Sequence, residues 1–224
     1  SLLVAYWAAL QASKGRNVLV LTYNHTLANL LRGMLSAAPI TYRRRLVDVI
    51  HFHGLAKRLI TLAGLGAPLS GSDRPPTDWY TSQWPALAQA AIQHLNGTYL
   101  FDAIAIDEGQ DLHDGYFSVA VALAREPKSI MVCVDEAQQL YDVRPTYFPA
   151  RGRRKGNWNT HPLTTGFRLP PNGARAANLL AERFGMATQP ISGDGGFNLA
   201  DSEVEVIKAS SAAAAGAAAR PAPP

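Results

Sequence analysis

The chain has a single cysteine, Cys133, among its 224 residues. A disulfide framework is therefore excluded. Cys133 lies inside the apolar run 130–134 and reads as a buried core thiol, a usage that fits a reducing cytoplasm. Long apolar runs are also missing: none approaches the roughly 20 residues that a membrane-spanning helix needs. The opening SLLVAYWAAL is apolar, but no positive charge precedes it and no clear cleavage site follows, so it does not read as a signal peptide. Charge is sparse, with Asp, Glu, Lys and Arg making up 17% of the chain. No internal repeat is present. His51 and His53 flank Phe52 at strand spacing and so share a face, but no cysteine or acid sits near them at zinc spacing, and a metal pair is not expected there.

What is present is an ordinary globular composition, 47% hydrophobic, which permits a sizeable core. The net charge is +4 and the pI near 9.3. Arg43, Arg44 and Arg45 form one basic group; Arg151, Arg153, Arg154 and Lys155 form another. Such groups can be phosphate footprints, and they can equally be solvated surface.

Apolar periodicity predicts a sequence of alternating elements. An opening helix carries Leu2, Leu3, Tyr6, Trp7 and Leu10 and closes at Lys14-Gly15. A buried strand follows at 17–21, then a helix with Leu27, Leu30, Leu31 and Leu35. A second strand is expected at 47–52, leading into the helix LAKRLI. Residues 65–78, rich in Gly, Pro, Ser and Asp, read as loop. A helix at 85–95, the strand 101–106, a helix at 115–124 and a strand at 129–135 come next. Residues 142–162 are polar, basic and broken by Pro and Gly. A helix at 171–184 and a last strand at 203–207 complete the pattern, and the tail 208–224 is low complexity. Strands alternating with helices argue for an α/β fold, a mostly parallel sheet with helices on both faces.

The segment FDAIAIDEGQD (101–111) is the most informative. Its apolar run ends in two adjacent carboxylates, Asp107 and Glu108, at the kind of strand end where open α/β sheets place ligand chemistry. One carboxylate suits a Mg²⁺, commonly held through one or two carboxylates plus substrate phosphates. The other can take a proton from an attacking water. Gln110 and Asp111 lie within side-chain reach. Other strand ends carry TYNHTLA (22–28), HFHGLAKRL (51–59) and VDEAQQLY (134–141), with LTTGFRLPPNGARAANLL (163–180) downstream.

This series resembles the UvrD/Rep-like superfamily 1 DNA helicases, from residue 1 to about residue 185. The resemblance implies a RecA-like P-loop NTPase core, truncated at its N-terminus: a motor domain 1A over 1–207, with a short helical insertion at about 55–98 in place of a 1B subdomain. It implies ATP and Mg²⁺ as cofactors. In that scheme Glu108, Gln138 and Arg168 are catalytic, Asp107 and Glu108 hold the metal, and Ser1, Asp107, Gln110 and Tyr141 bind the nucleotide. Gln138 senses the γ-phosphate through a neutral amide, and Arg168 offers it paired guanidinium donors. Thr22, Tyr23, Asn24, Phe52 and His53 touch single-stranded DNA. The implied partners are single-stranded DNA or duplex junctions, with RNA not excluded, together with a P-loop segment and a second motor domain that complete the parent protein. A cytoplasmic, nucleoid-associated protein would follow.

The chain departs from the family at three places. It contains no G-x-x-x-x-G-K-[ST], whose amides and lysine cradle phosphates, although Ser1 could be that loop's final hydroxyl. His51 replaces the usual threonine, and Val143 a tryptophan that stacks on a base. Weak hydrolysis by the chain alone is therefore expected. Two readings compete: a non-catalytic nucleic-acid-binding module derived from a helicase, and a Mg²⁺-dependent phosphohydrolase adding Asp135 and Glu136.

Overall fold

A computed structural model describes residues 1–66, 79–126, 129–135, 159, 161, 163, 165–166, 171–183, 190 and 192–193. The chain divides into two compact units, Ser1–Trp158 and Asn159–Pro224. In the first unit the order is α1 (Leu2–Ser13), β1 (Val18–Thr22), α2 (His25–Ser36), β2 (Val47–His51), α3 (Phe52–Leu62), α4 (Trp84–Leu95), β3 (Ala103–Ile106), α5 (Asp114–Leu123) and β4 (Ile130–Val132). The four strands form one all-parallel sheet in the order β2-β1-β3-β4. The expected α/β class is thus observed, with strand ends shifted by one or more residues. The strand expected at 129–135 contracts to three residues.

The sequence dictates the layers. All five residues of β1, VLVLT, are buried, as a strand covered on both faces requires. Side chains alternate across a strand, so Val18 and Val20 face one way and Leu19 and Leu21 the other. The first set packs with Val49, Ala103 and Ala105 against α1 and α2. There α1 presents Val4, Ala5, Ala8, Ala9 and Ala12, all buried; small side chains let this helix lie close to the sheet. The second set packs with Ile50, Ile104 and Ile106 against α3, α4 and α5. The helices within 55–98 therefore belong to a main layer of the fold.

Phe52, expected to end a strand, instead begins α3. Its ring still enters the second core, fully buried and stacked on Tyr116 with centroids 3.7 Å apart. The strand phase linking His51 to His53 is broken at that point.

Connections leave β1 and β3 in opposite directions. From β1 the chain passes through α2 to β2 on one side; from β3 it passes through α5 to β4 on the other. Because α2 and α5 cover opposite faces, a topological switch point lies between β1 and β3. In open α/β sheets the crevice outside the carboxyl ends of such strands is where ligands bind.

In the second unit, β5 (Thr165–Gly166) pairs in parallel with β6 (Ser192–Gly193), with α6 (Pro171–Arg183) between them in sequence. The expected strand 203–207 and the tail 208–224 lie outside the described residues. Among the described residues no helix is long and apolar enough to cross a membrane.

Candidate active site at the carboxyl rim

The register places four side chains in a row along the carboxyl rim. Thr22 pairs with His51, Leu21 with Ile106, and Ile106 with Val132. One residue further, Thr22 stands beside Asp107, and Asp107 beside Cys133. Alternation puts Thr22 and Asp107 on the face covered by α1 and α2, and Cys133 packs against that same cluster.

Asp107 is 1% exposed. Its backbone N–H donates to the Leu21 carbonyl (2.9 Å). Its Oδ1 lies 3.3 Å from the backbone nitrogen of Ser1, at the N-cap of α1. The positive end of that helix dipole favours a carboxylate. Oδ2 is buried with no hydrogen-bond partner. Thr22 is 0% exposed, and its Oγ1 is likewise unpartnered. An unsatisfied buried polar group costs about 1–3 kcal/mol. Two such groups stand at adjacent strand ends, at the switch point.

Glu108 adopts a left-handed conformation, φ 53°, which carries its side chain out of the strand path. Its Oε2 accepts from Gln110 Nε2 (2.7 Å). Gln110 Oε1 accepts from the Asp135 N–H (3.0 Å), and the Gly109 N–H donates to the Cys133 carbonyl (2.8 Å). These bonds stitch the DEGQD turn to the end of β4. Gln110, expected at the nucleotide, is buried and spends both ends of its amide on the rim itself. It orients Glu108. Cys133 is half-buried, and burial, followed by the nearby Asp107 charge, raises its thiol pKa.

A second group occupies the ends of β1 and β2. The rings of Tyr23 and His53 lie 5.9 Å apart, His53 and Tyr80 5.0 Å, His51 and His53 6.4 Å, and His25 and His51 5.4 Å. His53 Nε2 is 3.1 Å from the Tyr116 hydroxyl, which donates to the Tyr80 carbonyl. Burial, then the neighbouring His51, lowers the His53 pKa. Burial, then His25 and Arg32, lowers that of His51. A Cβ at Gly54 would come within 2.8 Å of His51 Cε1 and displace that ring. Tyr80 and His25 went unnoticed in the sequence because no periodic signal ties them to the strand ends.

The expected strand-contacting residues separate by exposure. Tyr23 and His53 are half-buried and Asn24 is exposed, its Oδ1 accepting from the Leu27 N–H (2.7 Å) as the cap of α2. Phe52 and Thr22 contradict the expectation: neither exposes side-chain surface that a nucleic-acid strand could touch. An apolar ring at a helix start is drawn into the core, and the last residue of a central strand is covered by α1 and α2. The exposed Arg43, Arg44 and Arg45 precede β2, so they lie at the amino edge of the sheet, opposite Asp107. Gln138, Tyr141, Arg168, Glu136 and the cluster 151–155 lie outside the described residues.

Among the described residues no three His, Cys, Asp or Glu side chains are grouped to hold a metal by themselves. The open Oδ2 of Asp107 nevertheless fits one carboxylate contact to a Mg²⁺ whose other ligands are phosphate oxygens and water. Compared with known proteins, the chain matches no family model and no curated sequence.

Proposed function

We propose that this chain is part of an ATP-dependent superfamily 1 DNA helicase or translocase, contributing Mg²⁺-ATP hydrolysis residues and a single-stranded DNA surface. The observation that carries this reading is Asp107: buried, half-unpartnered, and seated at the switch point of a parallel sheet. Asp107 would hold Mg²⁺, and the cation supplies neutralisation of phosphate charge. Glu108, oriented by Gln110, accepts a proton from water. Gln138 and Arg168 take the phosphate-sensing roles that the resemblance assigns them. Tyr23 and His53, with the newly placed Tyr80, offer rings to bases; stacking contributes about 1–3 kcal/mol per base.

The ring cluster also favours a second reading, a non-catalytic nucleic-acid-binding module. Anisotropy titrations of a labelled single-stranded oligonucleotide, with and without Mg²⁺-ATP, separate the two. A motor component changes its affinity for the strand when nucleotide and cation are added; indifference to both leaves only the binding module. Turnover of ATP by the chain alone should be weak. Robust DNA-stimulated hydrolysis abolished by Glu108→Gln would show that the chain needs no further phosphate cradle.

A further inference from the structure

The buried Thr22 hydroxyl has no role as a strand contact. Register places it on the rim beside Asp107. Adjacent strands lie about 4.8 Å apart, and register and alternation put the two side chains side by side on one face. Each is at most 1% exposed, and each leaves one oxygen unpartnered. A β-branched residue was needed only for packing, and valine would have supplied that without the cost of an unsatisfied hydroxyl. A single polar ligand at the rim could complete both groups. A partly hydrated divalent cation does so: the carboxylate oxygen meets the metal or its water, and the hydroxyl hydrogen-bonds a water of the same shell. The groups that orient a metal's carboxylates and waters typically contribute a factor of about 10–100 in affinity.

We propose that Thr22 is a positioning residue of a divalent-cation pocket centred on Asp107. The inference rests on the cation role given to Asp107 above and moves Thr22 from the strand surface to the metal.

Mn²⁺ titration of the whole chain, followed by electron paramagnetic resonance, tests it alongside thermal unfolding and oligonucleotide binding without metal. Thr22→Val should weaken Mn²⁺ binding about 10-fold, while Thr22→Ser stays within about 2-fold of the parent chain. Thr22→Val should also raise the cation-free melting midpoint by a few degrees, because it removes an unpartnered buried hydroxyl. Metal-free strand affinity should not change. If Thr22→Val binds Mn²⁺ as well as the parent while Asp107→Asn does not, the Thr22 assignment is overturned and the Asp107 reading stands. A parent chain that takes up no Mn²⁺ even with inorganic pyrophosphate present overturns both. Loss of strand affinity in Thr22→Val, with Mn²⁺ binding intact, returns Thr22 to the strand surface.

Discussion

Asp102 and Asp107 bracket the same four-residue strand, β3, yet they live in opposite electrostatic circumstances. At the amino end, Asp102 accepts from the Asn17 N–H (2.9 Å) and pairs with Arg125 (2.8 Å) at the surface. The Asn17 bond, followed by Arg125, holds its pKa below the ordinary carboxylate value. At the carboxyl end, Asp107 is enclosed and one oxygen is left open. The first carboxylate spends both oxygens on partners within the chain; the second spends one and is buried with the other unpartnered.

The largest effect expected tests a related contrast, between Phe52 and its neighbour His53. Phe52→Ala should destabilise the fold by about 3–5 kcal/mol, as core Phe truncations do, read by denaturant unfolding. His53→Ala should cost much less and act chiefly on strand binding. A mild Phe52→Ala with lost strand affinity would restore Phe52 to the DNA surface.

The two aspartates should dissociate next. With Mn²⁺ at about ten times its Kd, the parent chain gains on the order of 1.4 kcal/mol of stability, seen as a raised melting midpoint. Asp107→Asn should abolish that gain. Asp102→Ala should keep it while losing about 1 kcal/mol with or without the cation, a loss kept small by exposure of the Arg125 pair. Equal responses from both variants would dissolve the distinction between the two ends of β3.

The smallest effect is in the ring cluster. The His51, His53 and His113 pKa values are lowered in the fold, each chiefly by burial, so folding favours their neutral forms. Their contribution is present above the unfolded value of about 6.5 and is lost as pH falls through the lower folded values. Melting midpoints should decline between about pH 7 and pH 5, and His53→Gln should flatten that decline.

Legibility in the sequence followed locality. The DEGQD rim was visible because an apolar run ends abruptly in acids, a signal contained in one short segment. The helices were visible through their spacing. Thr22, expected at a strand surface, is buried because β1 is covered on both sides, so VLVLT carries no alternation to say which face its last residue takes. Its neighbour Asp107 is 85 residues away, and nothing local specifies the register that joins them. Phe52 misled because an aromatic at a strand-to-helix junction looks the same from sequence whether its ring turns inward or outward. Gln110 was rightly placed near the carboxylates, but its amide could be assigned to its neighbours only once the end of β4 was seen beside it.

Glu108 carries a last consequence. A residue with a Cβ in the left-handed region sits about 1–2 kcal/mol above its relaxed alternative, and glycine would relieve that strain. Glu108→Gly would release that strain but strip the buried Gln110 amide of its acceptor, a loss of about 1–3 kcal/mol. The bend therefore tolerates backbone strain to hold its carboxylate in a bond that a glycine could not make.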